Sequence, residues 1–261
     1  MLFSHPSQAI PINYNLNLSI GSEDNTGIDP EFFKSISIEA NYFKGLSRSS
    51  VLVLSGEVTS IDYNDSTTRD GAIFEIEAKF SYVPDPGYTR PTYSISIRQT
   101  ESDNIDKSTT ALILTSSIRL DEEISLLGGF KISESKSDQD ASQVGVFVNF
   151  DYKPSDNLTL YATYSLVDEE TDAMTDSTPR AEANLRGPIA SHHTCAERGD
   201  CAPAAGADPT DFDNTTFTLG TSYKIASQHL IDFAYDHFIY EPKGGDNTTS
   251  DVFTANYYYL F

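Results

Sequence analysis

The sequence lacks tryptophan, has few basic residues and contains no long apolar run. Its longest apolar stretches are short, such as Val51–Leu54, whereas a transmembrane helix needs about 20 apolar residues in succession. There are 17 Lys and Arg against 39 Asp and Glu, a formal net charge of −22. Nucleic acids bind basic surfaces, so we expect no nucleic-acid partner. The chain is therefore either soluble, or it crosses a bilayer as tilted strands.

Cysteine is also scarce. Cys195 and Cys201 lie close together in a polar stretch beside His192 and His193. This spacing predicts a local disulfide and an oxidising compartment. The alternative is a metal site with the two histidines, but the spacing does not match the usual zinc ligand pairs. We expect neither a bound metal nor a cofactor.

A signal peptide is not visible at the start of the sequence. The stretch Met1–Ala9 is too short and lacks an apolar core. Export is therefore inferred from the rest of the chain.

The dominant pattern is alternation of apolar and polar residues with a period of two. It begins with Ile12, Tyr14, Leu16, Leu18 and Ile20 and recurs in about twelve segments. Such a pattern is typical of strands with one apolar and one polar face. Residues 51–62 are ambiguous because both registers contain apolar residues. Gly, Pro, Asn, Asp and Ser clusters separate the segments. The sequence predicts an all-β, antiparallel up-and-down barrel of about 12 strands, with residues 1–261 as one domain.

The connections between these segments fall into two alternating classes. The shorter or less acidic class comprises Lys44–Ser50, Val83–Pro91, Asp121–Glu123, Lys153–Asn157 and Ala226–Gln228. The longer, acidic class comprises Gly21–Phe32, Asp62–Gly71, Thr100–Thr109, Ser133–Ser142, Asp168–Asn214 and Glu241–Asp251, and it carries nearly all of the net charge. Alternate turns of an antiparallel meander lie at opposite ends, so we expect the acidity at one end.

Alternation alone fits a soluble β-sandwich as well as a membrane barrel, and two features favour the barrel. A closed barrel of about eight strands is just filled by its side chains, so twelve strands leave space for a polar lumen. Aromatic residues also collect near the short-turn end, as an interfacial girdle would. They are Tyr42, Phe43, Phe80, Tyr82, Phe150, Tyr152, Tyr223, Tyr257, Tyr259 and Phe261.

The last segment alternates through Tyr257, Tyr259 and a terminal Phe261. In this it resembles the outer-membrane β-barrels of Gram-negative bacteria, a porin-like class, without matching a subfamily. The resemblance implies that these three residues are an assembly signal read by the outer-membrane assembly machinery. It also implies periplasmic N- and C-termini, and contact with outer-membrane lipids and lipopolysaccharide. Nothing in the sequence indicates the oligomeric state.

Charged residues in the polar register are the candidates for a lumen lining. They are Glu39, Glu57, Glu75, Glu77, Lys79, Arg98, Arg119, Lys131, Asp151, Lys224, Asp232 and Asp236. Such charges can set ion selectivity, or they can pair across strands and close the lumen. The predicted function is a channel for passive diffusion of small solutes or ions, with a modest preference for cations. The alternative is a non-conducting structural or surface-interaction barrel that acts through its acidic extracellular loops.

Enzymatic and calcium-binding functions are poorly supported by the sequence. His229 and His237 fall on the apolar register, and Asp236 points away from His237, so no acid–base pair is expected. The acidic runs Asp62–Asp65 and Asp208–Asp213 do not match a calcium loop. Bridging of acidic loops to lipopolysaccharide phosphates by divalent ions is a weaker possibility. The connection 168–214 is too long for a simple turn; it is a lumen constriction, a recognition surface or a disordered loop.

Overall fold

The structure, a computed structural model, describes residues 12–25, 31–64, 71–84, 91–102, 107–136, 141–171, 211–242 and 247–261. These residues form twelve strands. In chain order they are β1 Ile12–Asn25, β2 Glu31–Gly45, β3 Ser50–Tyr63, β4 Gly71–Tyr82, β5 Thr92–Ser102, β6 Lys107–Arg119, β7 Ile124–Lys136, β8 Ala141–Ser155, β9 Leu158–Thr171, β10 Asp211–Ala226, β11 His229–Pro242 and β12 Thr248–Leu260.

The strands form one closed barrel in which each pairs with its chain neighbours. Every pairing is antiparallel, and β1 closes the ring against β12, in register from Asn15 opposite Leu260 to Asn25 opposite Ser250. No helix among the described residues is long and apolar enough to cross a membrane. The predicted twelve-stranded antiparallel barrel is confirmed.

The two faces of the wall differ in the way the alternation predicts. Outward positions carry large apolar side chains such as Ile38 and Ile76, which are 58% and 68% exposed. Inward positions carry small polar residues such as Asn17, Ser37 and Thr218, all buried. An apolar belt around the whole wall is unfavourable in water and is the surface that a barrel presents to lipid. The β-sandwich alternative is therefore wrong.

The expected contrast between long loops and short turns is largely wrong. The strands continue through most of the predicted acidic loops, so only residues 26–30, 64–70, 103–106, 137–140 and 243–247 separate five of the strand pairs at that end. Asp62, for example, lies in β3 and pairs with Lys34 of β2 at 2.8 Å. The connection 172–210 alone is long. We keep the term long-loop end for this end of the barrel and short-turn end for the other.

Three cross-strand pairs join a glycine to an aromatic ring on the lumen face. They are Gly21–Phe33, Gly129–Phe147 and Gly220–Tyr161. A Cβ added to these glycines would lie 2.4, 2.1 and 2.1 Å from the facing ring. The missing side chain therefore lets each ring lie flat across the neighbouring strand, a packing device known from sheets as aromatic rescue.

Candidate lumen site

All twelve predicted charged residues lie on the inward register of their strands. Within this set, Glu77, Arg98, Lys131, Asp232 and Asp236 are buried, whereas Arg119 and Lys224 are exposed near the short-turn end. The structure does not gather the twelve into one ring. They fall into separate groups at different heights of the lumen.

The first group is a row of carboxylates across β2, β3 and β4. Glu39 is the direct partner of Glu57, which is the direct partner of Glu75. Arg98 on β5 lies at the end of this row, with Nε 3.3 Å from Glu75 Oε1 and Nη2 3.0 Å from Glu77 Oε2. Like charges directly opposite one another are unfavourable, so Arg98, which is 2% exposed, offsets the repulsion.

Glu39 is held by neutral donors. The amide nitrogens of Asn15 and Asn41 donate to its two carboxylate oxygens at 2.9 and 2.8 Å. On the next strand, Thr59 donates to Glu57 at 3.1 Å. The row is thus oriented by a network of neutral hydrogen-bond donors along the lumen wall.

The second group surrounds a cavity of about 490 Å³ at the short-turn end of the lumen. Its charged lining comprises Arg119, Glu122, Glu123, Asp151, Lys153, Asp156, Lys224 and Asp232. Asp151 accepts hydrogen bonds from Asn149 at 2.9 Å and Ser125 at 3.2 Å. We call this cavity the vestibule. Charges of both signs line the vestibule, so its net charge alone does not indicate which ligand it would bind. The shape of the vestibule and its most buried charged groups decide this.

Asp232 is the deepest carboxylate of the vestibule. It is 4% exposed and accepts hydrogen bonds from three neutral groups on the strands around it. Tyr161 Oη lies 3.0 Å from both carboxylate oxygens, Ser222 Oγ lies 2.5 Å from Oδ1, and Asn256 Nδ2 lies 3.3 Å from Oδ2. This arrangement fixes the position of the carboxylate.

The third group lies towards the long-loop end. Lys131 and Gln143 are buried there, and Gln143 donates to Glu169 while it accepts from Ser133 at 3.0 Å. Glu169 and Glu23 line the lumen but were assigned to the acidic loops by sequence. The error came from ending the strands too early. The outward neighbours of Glu23 are Ser22 and Asp24, and those of Glu169 are Asp168 and Glu170, so the apolar–polar alternation stops there and no signal in the sequence marked these residues as strand.

A cluster of buried apolar side chains also lies on the lumen face at this end. Its members are Phe33, Ile61, Tyr63, Phe238, Tyr240 and Val252. The ring centroids of Phe33 and Tyr63 are 5.7 Å apart, and those of Phe238 and Tyr240 are 6.3 Å apart and stacked. The sequence did not predict this lumen cluster, because inward apolar residues blur the alternation, as they do in residues 51–62.

The outward face carries the histidines of β11. His229 Nδ1 lies 2.6 Å from the hydroxyl of Tyr257, within the aromatic belt. His237 Nδ1 lies 2.7 Å from Asp251 Oδ1, which also accepts a hydrogen bond from Tyr235 at 2.6 Å. The pairing of His237 with Asp251 was not predicted, since the two residues are adjacent only through the β11–β12 register.

The aromatic residues of the proposed assembly signal also face outward. Tyr259 contacts Phe261 edge to face, with ring centroids 4.5 Å apart. Of the predicted girdle, Phe43 is misplaced, because it shares the inward register of Glu39. Cys195, Cys201, His5, His192 and His193 lie outside the described residues, so the predicted disulfide stays a prediction.

Comparison with known proteins supports the architecture. No family model matches the sequence, and no curated protein matches it. The COG4313 outer membrane channel from Pseudomonas putida F1 superposes with a TM-score of 0.66 at 9% identity, over 98% of this chain and 99% of that chain. The NanC porin superposes with a TM-score of 0.52 at 8% identity, over 94% and 98%. The chain therefore has the barrel fold of outer-membrane channels, without assignment to any one family of them.

Proposed function

We propose that this protein is a porin-like channel of the Gram-negative outer membrane, through which small solutes or ions diffuse passively. The observation that carries the proposal is the division of the wall into an apolar outer face and a charged inner face. Lipid requires the first, and a water-filled path requires the second. The two superposed proteins, whose names describe a channel and a porin, add support from the fold.

The proposed orientation places the long-loop end outside the cell. The described residues begin and end at the short-turn end, so both termini would face the periplasm. Outer-membrane lipids would surround the apolar belt, and lipopolysaccharide would contact the acidic outer rim. The strand that carries Tyr257, Tyr259 and Phe261 would be the part recognised by the assembly machinery.

A modest preference for cations follows from the charges of the lumen. Seven acids stand against five bases in the predicted set, and Glu23 and Glu169 add two more buried acids to the lumen face. Negative potential raises the local concentration of cations, and salt screens this effect. The preference should therefore fade between low and high salt.

The test is the current through the refolded protein in a planar bilayer under a salt gradient. We expect a reversal potential whose sign indicates a preference for cations. Its magnitude should be smaller when Glu75 and Glu77 are both changed to Gln. A preference for anions in the unmodified protein would contradict the proposed selectivity. We expect no enzymatic activity, since His237 faces outward and its side-chain partner among the described residues is the carboxylate of Asp251.

The second candidate is a non-conducting barrel that acts as a structural or surface-interaction protein. The apolar cluster on the lumen face favours it, because Phe238 and Tyr240 project into the space that a channel would need. Absence of any current in the unmodified protein, with current appearing in Phe238→Ala, would identify this cluster as the closure. Current in the unmodified protein would reject the second candidate.

A further inference from the structure

We propose that Asp232 forms a binding site for one positively charged group, either an alkali ion or a primary ammonium group, that arrives through the vestibule. The proposal deepens the proposed channel function and rests on it for passage, but binding itself does not require an open channel. It assigns to Asp232 a role distinct from that of the other lumen charges.

The contacts of Asp232 all come from neutral groups. Tyr161, Ser222 and Asn256 donate hydrogen bonds to it, and no ion pair joins it to a basic residue of the described strands. Arg98, by contrast, neutralises Glu75 and Glu77 directly. A buried carboxylate is costly without a compensating charge. A cation bound at Asp232 would supply that charge.

The neighbouring strand adds an independent sign of a missing partner. Asn256 Oδ1 and Thr254 Oγ1 are buried and have no hydrogen-bond partner, although Asn256 is only 3% exposed. Buried polar atoms of native proteins are almost always satisfied by protein, water or ligand. The Asn256 amide already contacts Asp232 through Nδ2, so its oxygen lies beside the carboxylate. The Asn256 oxygen can accept from an ammonium group or ligate an alkali ion, and Thr254 lies two residues along the same strand on the same face.

The vestibule allows access and has room for more than a bare ion. Its volume of about 490 Å³ falls within the range of about 300–1,000 Å³ typical of small-molecule pockets. Leu230, Tyr258 and Leu260 add apolar surface to its lining beside Asp232. A short alkyl chain could lie against this surface while its ammonium group contacts Asp232. The geometry therefore points to primary alkylammonium compounds as the organic members of the ligand class.

The experiment compares two neutralised carboxylates of the same vestibule. Asp232→Asn removes the charge from the buried site and keeps the size of the side chain. Asp156→Asn removes the same charge from the exposed rim, where Asp156 lies 3.6 Å from Lys153 Nζ. The unchanged heat-modifiable mobility of each variant on a gel would show that the barrel is folded.

The first readout is equilibrium binding of n-butylammonium to the refolded protein in detergent, followed by saturation-transfer NMR. We expect binding to weaken about tenfold in Asp232→Asn, because a hydrogen bond to a charged group is lost, and to be unchanged in Asp156→Asn. Tetramethylammonium, which has no N–H donor, should bind more weakly than butylammonium. Equal binding to the unmodified protein and to Asp232→Asn would overturn the ammonium form of the proposal.

The second readout is the ratio of K⁺ to Cl⁻ permeability in a planar bilayer. A lower ratio in Asp232→Asn than in Asp156→Asn, without butylammonium binding, would identify an alkali-ion site. If the unmodified protein carries no current, the channel function fails while the NMR result still decides the site. The proposal would be overturned altogether if butylammonium did not bind and Asp232→Asn left the permeability ratio unchanged. In a barrel that carries no current, an unchanged ²³Na relaxation would replace the permeability ratio as the second criterion.

Discussion

At the scale of single residues, the lumen is organised by pairs whose members come from different strands. Tyr161 lies flat over Gly220 and donates to Asp232, two strands away along the wall. The position of the Asp232 carboxylate therefore depends on a glycine that does not touch it. The same dependence of a ring on a facing glycine recurs at Gly21 and Gly129.

The first prediction concerns Gly220→Ala. The new Cβ would lie 2.1 Å from Tyr161 Cζ, so the ring must move and its hydrogen bond to Asp232 must lengthen or break. We expect a loss of about 1–3 kcal/mol in the free energy of unfolding, the usual cost of overpacking. Urea unfolding in detergent micelles, followed by circular dichroism, measures it.

Gly56→Ala is the matched control. Gly56 faces outward on β3, and the nearest atom to an added Cβ is the carbonyl oxygen of Glu75 at 4.0 Å. Alanine also restricts the unfolded chain more than glycine does. We expect stability that is unchanged or slightly increased. Equal losses in the two variants would show that the contact with Tyr161 is not the cause.

Alternation in the sequence identified the face of each charged residue but not its partner. Arg98 and Glu77 are opposite each other because β4 and β5 pair in one particular register, and a shift of two residues would preserve every face while changing every pair. Asp232 was on the predicted lumen face for the same reason. Its cradle of Tyr161, Ser222 and Asn256 needs four strands in register, which no single segment encodes.

At the scale of the strands, the outward positions are set by contact with lipid. Ile76 lies in the middle of β4 and is 68% exposed on the outer face. We expect Ile76→Arg to reduce the stability of the barrel in lipid vesicles by about 2–4 kcal/mol, since a charge at that depth is poorly solvated. Leu46→Arg, at an exposed position in the short turn after β2, should cost far less. A cost as large for Leu46→Arg would reject the membrane placement of the belt.

The connection between β9 and β10 holds the third prediction. We expect Cys195 and Cys201 to form a disulfide in protein exported through the periplasm, since both lie in one polar stretch and secreted proteins favour such bonds. Intact-mass spectrometry after alkylation without reduction distinguishes the two forms. Two alkylated thiols would contradict the disulfide, and the double change to Ser supplies the unmodified reference mass.

The ends of the strands were harder to predict than their centres. Acidic residues such as Glu23 and Glu169 belong to strands that continue beyond the predicted boundaries, and both are buried on the inner face of the wall. Polarity there no longer marks a loop, so composition placed the boundaries too early. The pairing of β1 with β12 continues as far as Asn25 opposite Ser250, and these backbone hydrogen bonds keep the acidic residues in the sheet.

At the scale of the whole molecule, strand number and the polarity of each face were predictable, but the state of the lumen was not. An apolar outer face is required all around the barrel, so every strand segment of the sequence shows apolar residues at alternate positions. The apolar lumen cluster needs only six side chains, from β2, β3, β11 and β12. So few inward apolar residues do not change the overall pattern, although we expect them to narrow the lumen at the long-loop end.

Because β1 pairs with β12, the strands form a closed ring. The chain could therefore begin at another strand and still form the same barrel. Phe261 donates its backbone N–H to the carbonyl of Tyr14 at 3.0 Å, so a short linker could join Phe261 to the start of β1 in a circularly permuted chain. Opening the chain at Asp121–Glu123 instead would give a circular permutant whose last strand is β6, without outward aromatic residues at its end. We expect this permutant to refold into the same barrel in detergent.

In cells, the same permutant separates folding from delivery. If the aromatic end of β12 is what the assembly machinery reads, the permutant ending in β6 should accumulate in the periplasm. A second permutant, opened at Lys153–Asn157 so that Phe150 and Tyr152 lie near its end, should reach the outer membrane more efficiently. Equal insertion of the two permutants would mean that assembly does not depend on aromatic residues in the last strand. Any strand at the end of the chain would then serve equally well as the assembly signal.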